Sequence, residues 1–246
     1  MYKHTKDQAP LLIEKNDDCW VLSLNRPKKR NALSLALVEA MLGAFDKAET
    51  EGIPLVVLKG IGKNFCAGFD FSNLDALSNA DLLLRFVRIE SLLQRIRHSS
   101  CVTLALAHGT NMGAGADLIA SSTFRVATPS AQFKMPGLQF GLVLGTRRLE
   151  QLIGAQNALN ILQSSRLFSA QEAYEINFLN QIAEQDTWNT LISTYLTRTT
   201  TLPEDSNLKL RDLLTPDTRA QDMAELVASA AQPDIKKRIY NYISSF

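Results

Sequence analysis

The sequence has little imbalance of charge: over 246 residues, 26 Lys and Arg stand against 25 Asp and Glu, leaving a formal +1. That argues against a nucleic-acid-binding surface as the main function, because such proteins carry a clear basic excess. The basic clusters are short: Lys28-Lys29-Arg30, Arg147-Arg148 and Lys236-Lys237-Arg238. Cysteine is scarce as well. Cys19, Cys66 and Cys101 are scattered and odd in number, so neither a disulfide framework nor a metal-ligand spacing follows. With His4, His98 and His108 as the histidines, a histidine-rich metal site is equally unexpected. No apolar run reaches membrane-spanning length, and the opening Met-Tyr-Lys-His-Thr-Lys-Asp-Gln leads into no apolar signal core. The expectation is a reducing, cytoplasmic setting with no membrane partner. Internal repeats, low-complexity tracts and a sharp linker are also missing.

What is present has an ordinary globular balance, 46% hydrophobic and 21% charged. The length suits one large domain, or a domain with a small appendage. Residues 11–15 and 19–24 read as short strands around a turn at Asn16-Asp17-Asp18. From Ser34, a plausible N-cap, Leu35, Val38, Met41, Leu42 and Phe45 recur at helical spacing. Leu55-Val56-Val57-Leu58 is apolar on both faces and reads as a strand buried on both sides. A loop at 60–80 precedes a helix at about 81–97, striped by Leu82, Phe86, Ile89, Leu93 and Ile96. Strands at 101–107 and 124–127 enclose a short helix at 113–121, and helices follow near 146–153 and 155–164. Ser169-Ala170-Gln171-Glu172 has the spacing of a capping box. Past about residue 185 the strand signals fade and the pattern is helical, with Leu191 and Tyr195 on one segment and Met223, Leu226 and Val227 on another. Strand-helix alternation of this kind indicates an α/β layered core with parallel pairing.

Two loops stand out because small residues sit where a strand hands over to a helix. One is Asn64-Phe65-Cys66-Ala67-Gly68-Phe69-Asp70; the other runs from His108-Gly109 to Gly113-Ala114-Gly115-Ala116-Asp117. Small side chains let a ligand approach the backbone, and helix N-termini offer free N–H donors. Converging donors of that kind polarise a carbonyl and stabilise an oxyanion. Tight helix-strand packing would account for either loop taken alone.

Taken together and in order, these stretches resemble the crotonase, or enoyl-CoA hydratase/isomerase, superfamily. The resemblance also rests on Leu24-Asn25-Arg26-Pro27 through Leu33, on Ala131-Gln132-Phe133, Gly141 and Arg148-Leu149, and on Ser169 through Ala173, covering residues 10–185. It implies an α/β fold with a crotonase-type (ββα) spiral core over 1–185, and a C-terminal α-helical oligomerisation region over 186–246. It further implies an acyl-CoA thioester ligand, no permanently bound cofactor beyond the coenzyme A of that substrate, and a homotrimer or dimer of trimers.

The same resemblance places the oxyanion hole on the backbone N–H groups of Phe69 and Ala114, the latter at a position that is usually glycine. Lys28 matches a lysine that helps bind the nucleotide end of coenzyme A, although a solvated surface lysine would read the same. Cys66, Gly68, Phe69, Asp70 and Phe71 would line the pantetheine and adenine side. Typical hydratases pair two glutamates for general acid/base work. Here the first falls on Asp117 and the second on Gly137, which has no side chain. Asp117 as sole carboxylate suits isomerase-like proton transfer first, then hydration, then decarboxylation or thioester hydrolysis. A purely structural carboxylate in a helix first turn is the alternative for that residue, and a catalytically silent acyl-CoA-binding subunit the alternative for the chain. His108 reads as a packed, hydrogen-bonded histidine and Cys66 as a packing residue. Arg85, Arg88 and Glu90 read as a solvated helix face, Arg147-Arg148 as an exposed helix start.

Overall fold

The structure is a computed structural model that describes residues 9–245. His4, with the rest of the opening eight residues that bore the leader expectation, lies outside the described residues. The chain opens with β1 (Leu11–Lys15) folded back antiparallel on β2 (Cys19–Leu24). Asn16 makes the turn between them, its Oδ1 accepting from the Asp18 and Cys19 amides. From β2 onward the sheet is parallel: β3 (Leu55–Gly60), β4 (Val102–Ala107), β6 (Phe124–Ala127) and β9 (Gln181–Ile182), in the order β1-β2-β3-β4-β6-β9.

A second, smaller sheet joins β5 (Thr110–Met112), β7 (Gln132–Lys134) and β8 (Phe168–Ser169). Strands of two or three residues carry too little alternation to be read from sequence, so this sheet is a structural addition to the expected pattern. Between strands run α1 (Leu35–Thr50), α2 (Asn79–Arg97), α3 (Ala114–Ser121), α4 (Thr146–Ile153), α5 (Ala155–Ser164) and α6 (Ala170–Glu175). Ser34 caps α1, accepting from the Leu37 amide. Ser169 caps α6 in the same way, but the expected box stays half formed because the Glu172 carboxylate turns to Arg166 instead. A complete box forms elsewhere, where Ser78 and Asp81 close the start of α2.

Because successive strand residues face opposite sides, the large sheet builds two cores. Trp20, Leu22, Val56 and Leu58 pack with α1 and α2, while Leu55, Val57, Leu104 and Val126 face the other way. That second face is covered by α7 (Trp188–Thr199) through Trp188 and Tyr195. α8 (Glu204–Leu214), α9 (Arg219–Ala230) and α10 (Ile235–Ile243) complete the chain. α9 packs on α2, and α10 on the turn at Gly137–Phe140. The apolar residues that mark this tail in the sequence are therefore largely taken up within the chain. Tyr195 and Leu226 are buried, and Leu191 and Met223 pack against the cores. Among the described residues no helix is long and apolar enough to cross a membrane.

Candidate active site

The two small-residue loops are driven together. Gly68 sits at φ +81°, and a β carbon there would lie 2.2 Å from the Met112 carbonyl oxygen and 3.3 Å from the Ala114 nitrogen. From the other side, a β carbon on Gly115 would fall 2.2 Å from the Cys66 carbonyl oxygen. Only glycine permits backbones this close. The contact is pinned by the Met112 amide donating to the Cys66 carbonyl (3.2 Å) and the Leu33 amide donating to that of Gly68 (2.7 Å). Buried Asn31 ties in the approach to the first loop, its Nδ2 donating to the Ile61 and Asn64 carbonyls.

Beside this junction lies a cavity of about 600 Å³, walled mainly by apolar side chains such as Phe86, Met112, Met135 and Leu144. Phe69 and Ala114 both line it. Ala114 opens α3, and neither its amide nor that of Phe69 donates to an acceptor among the described residues. Lys28, Asp70 and Phe71 line the same cavity. Gly68 and Cys66 do not: they form the packing behind the wall. Cys66 is fully buried, its thiol donates to the Asn31 carbonyl (3.1 Å), and burial pushes its pKa up to about 12. It is a packing residue, as expected, and no ligand-facing side chain.

Asp70 and Asp117 are the carboxylates on the cavity wall among the described residues. Asp70 is engaged. Burial would raise it, but hydrogen bonds from Ser72 and the ion pair to Arg26 (2.8 Å) hold it below the usual range. Asp117 is different: 2% exposed, in the first turn of α3, with Oδ1 buried and no hydrogen-bond partner. Burial pushes its pKa up to about 8, with Arg148 pulling it down and Glu90 raising it further. At Gly137 the wall offers no functional group, and a β carbon there would meet the Leu142 carbonyl oxygen at 3.0 Å.

Behind Asp117, two expectations are overturned. Arg148 is not on an exposed helix start: it is 2% exposed and forms a two-pronged ion pair with Glu90, at 2.8 and 2.6 Å. Glu90, read as part of a solvated face, is 1% exposed. The signal was present in the sequence, since Glu90 stands one helical turn after Phe86 and so on the apolar stripe of α2. A charge on that stripe needs a buried partner, and Arg148 supplies it. Arg88 does face solvent, paired with Glu39. His108 is packed as expected, its Nε2 donating to the Gly62 carbonyl at 2.8 Å.

A C-terminal helix beside the pocket is expected from the sequence without being identified, and the structure identifies α10 on the cavity wall. Tyr242 and Ile243 close the cavity from its end. The helix is held there by Tyr240 bonded to Asp75, and by Lys236 donating to the Asp75 and Leu77 carbonyls. Arg238 donates to the Phe140 carbonyl at 2.9 Å. Lys236 and Arg238 of that basic cluster thus fasten the cavity wall.

Comparison with known proteins places this arrangement in context. Residues 14–241 match the family model described as enoyl-CoA hydratase/isomerase. A crystal structure from Bordetella parapertussis, described under enoyl-CoA hydratase/isomerase, shares 49% identity at a TM-score of 0.95, covering 96% of this chain and 99% of that one. The peroxisomal Delta(3,5)-Delta(2,4)-dienoyl-CoA isomerase of Arabidopsis thaliana is 28% identical over 70% of this chain and 68% of its own length. The ethylmalonyl-CoA decarboxylase of Mus musculus is 28% identical over 70% of this chain and 55% of its own length. The chain thus spans between 55% and 68% of the first three curated relatives it matches, with a Bacillus subtilis relative at 64%.

Proposed function

The chain belongs to the enoyl-CoA hydratase/isomerase family, and from that premise we propose that it transfers a proton on an acyl-CoA thioester with one carboxyl group, Asp117. The observation that carries this reading is the pairing of two unpartnered amides with one unengaged acid on the same apolar cavity. The Phe69 and Ala114 N–H groups would donate to the thioester oxygen as it becomes an enolate, in a site whose low dielectric strengthens each hydrogen bond. Lys28, exposed at the cavity mouth, would meet the phosphates of coenzyme A. Asp117 would then take the α proton and return it elsewhere, the two half-steps of a double-bond shift. A pKa near 8 suits that double duty, because a group poised close to ambient pH both accepts and donates. Hydration asks for a second acid/base group, and Gly137 supplies none.

One observation favours a second reading. Held neutral by burial below about pH 8, Asp117 is also suited to donate a proton to an enolate left by loss of carbon dioxide. The two differ in sign. Base-first isomerisation speeds up as pH rises through about 8, whereas protonation after decarboxylation slows down. The experiment that tests both is Asp117→Asn on a panel of short enoyl- and malonyl-type CoA thioesters. Turnover should fall by on the order of 10²-fold or more, with thioester binding retained. Full turnover by the Asn variant would refute Asp117 as the proton carrier in either reaction.

A further inference from the structure

The proton transfer leaves unused a buried pair of charges, Glu90 and Arg148, 1% and 2% exposed and joined at 2.8 and 2.6 Å. The fold ties this pair to Asp117 through the start of α4. Gly145, which caps that helix at φ +69°, packs so close to Asp117 that a β carbon there would lie 1.8 Å from Oδ1. Arg148 follows three residues later, on the same side of the helix. Asp117 Oδ1 and Arg148 Nε are both sealed from solvent without a hydrogen-bond partner. A buried acceptor and a buried cation thus meet at one end of α4, yet neither takes up the other.

The count of charges explains this. Of the elements packed against α3, β4 and β5 carry no charged residue. α2 contributes Glu90 and α4 contributes Arg148, and these are the two charges whose fields bear on Asp117. Across the cavity, Asp70 is taken up by Arg26 (2.8 Å). Asp222 of α9 stands 3.7 Å from Arg148, but Arg147 and Thr218 hold it. Arg97, at the end of α2, acts on Arg148 rather than on Asp117 and donates to Gln151. One buried cation therefore faces two buried carboxyls, and ionising both beside it is disfavoured. Gln94, donating to Glu90 at 2.8 Å, favours Glu90 as the ionised one.

Resting on the single-carboxyl reading above, we propose that Glu90 is a positioning residue for the proton transfer: its two-pronged hold on Arg148 withholds the buried cation from Asp117, which therefore rests as an uncharged acid. Glu90 does not line the cavity and so does not touch the thioester. It acts through Arg148. Once freed from Glu90, the guanidinium charge favours the carboxylate form of Asp117. The rise in rate that depends on that carboxylate as base then moves to lower pH.

The test follows two readouts against pH in the wild type, in Glu90→Gln, and in Glu90→Gln combined with Arg148→Met. One is the carboxyl stretch of Asp117 by infrared difference spectroscopy, assigned by its loss in Asp117→Asn. The other is exchange of the α protons of butyryl-CoA in D2O, followed by mass spectrometry. In Glu90→Gln, both the carboxyl titration and the rise of exchange should move down by about one pH unit or more. The double variant removes both charges and should bring them back toward wild type. A merely structural role would not shift a titration with one substitution and restore it with a second. A wild-type titration in Glu90→Gln overturns the proposal, and so does a shift that the double variant leaves in place. Should Glu90→Gln fail to fold, the wild-type spectrum decides: a carboxyl still protonated at pH 6 upholds the withheld cation, and one already ionised there overturns it. Asp117→Asn separates this inference from the reading beneath it. Exchange lost in Asp117→Asn, with no shift in Glu90→Gln, sinks the role of Glu90 alone. Wild-type exchange in Asp117→Asn, or no exchange by the wild-type protein, sinks the single-carboxyl reading and the role of Glu90 in the reaction with it.

Discussion

Asp117 makes the stability of the fold depend on pH. Its folded-state pKa of about 8 stands well above the usual 3.8. Between those values the unfolded chain has released the proton and the native one still holds it. Native stability is therefore full below about pH 4 and declines as pH rises toward 8, by up to about 1.4 kcal/mol per unit. Asp117→Asn removes the titration and should melt higher than wild type, with a gap that widens from pH 5 to pH 8. Equal gaps at the two pH values would contradict a neutral, buried Asp117. Gly137 offers the complementary experiment. Its φ is not positive, so Gly137→Glu meets no left-handed strain, although the Leu142 carbonyl at 3.0 Å must yield a little. Combined with Asp117→Glu, it should raise hydration of a short enoyl-CoA, measured as loss of enoyl absorbance; a folded, thioester-binding double variant with no gain would refute the missing-carboxylate account. Gly68 is a poorer probe than the loop sequence implies. A valine there would collide with the Met112 carbonyl, so Gly68→Val reports on folding before it reports on binding.

At the scale of elements, the joint between α2 and α4 is the buried Glu90–Arg148 pair, with Gln94 donating to Glu90 at 2.8 Å. Removing one partner strands the other as a buried charge, at a cost of about 3–5 kcal/mol. Glu90→Gln and Arg148→Met should each lower the urea midpoint accordingly, and the double variant should recover part of the loss. Additive losses would show that the two do not act as a pair. This joint also marks the limit of what the sequence discloses. Helices such as α1 and α5 were legible because caps and apolar spacing are local properties of the chain. The crotonase-type spiral was legible because the loop motifs stand in order. The partnership of Glu90 with a residue 58 positions away is not local, and charged residues default to solvent until a fold says otherwise. For the same reason the sequence placed Phe69, Ala114 and Asp117 near one another and let a C-terminal helix be expected beside the pocket, but did not single out α10. Gly68 and Cys66, legible as loop residues, turned out to hold the wall up from behind.

For the molecule as a whole, the expectation of a trimer or a dimer of trimers now rests on different residues. Leu191, Tyr195, Met223 and Leu226 are used within the chain, whereas α8 has no buried residue and leaves Leu213 and Leu214 each 72% exposed. An apolar patch of that kind is ordinarily covered by a partner. Light scattering should give three or six times the 27.3 kDa chain mass, and Leu213→Glu with Leu214→Glu should reduce it. A monomer at micromolar concentration before any substitution would defeat the expectation. The meeting of the Gly68 and Gly115 backbones has a kinetic side. The cavity wall joins segments 46 residues apart in the chain, Cys66 and Met112 (112 − 66), with the β4 crossover between them, and such non-local contacts form slowly. During refolding from urea, helical ellipticity should return first and thioester affinity should lag behind it. Ligand capture then serves as a clock for the last step of assembly, one that a spectrum of secondary structure would miss.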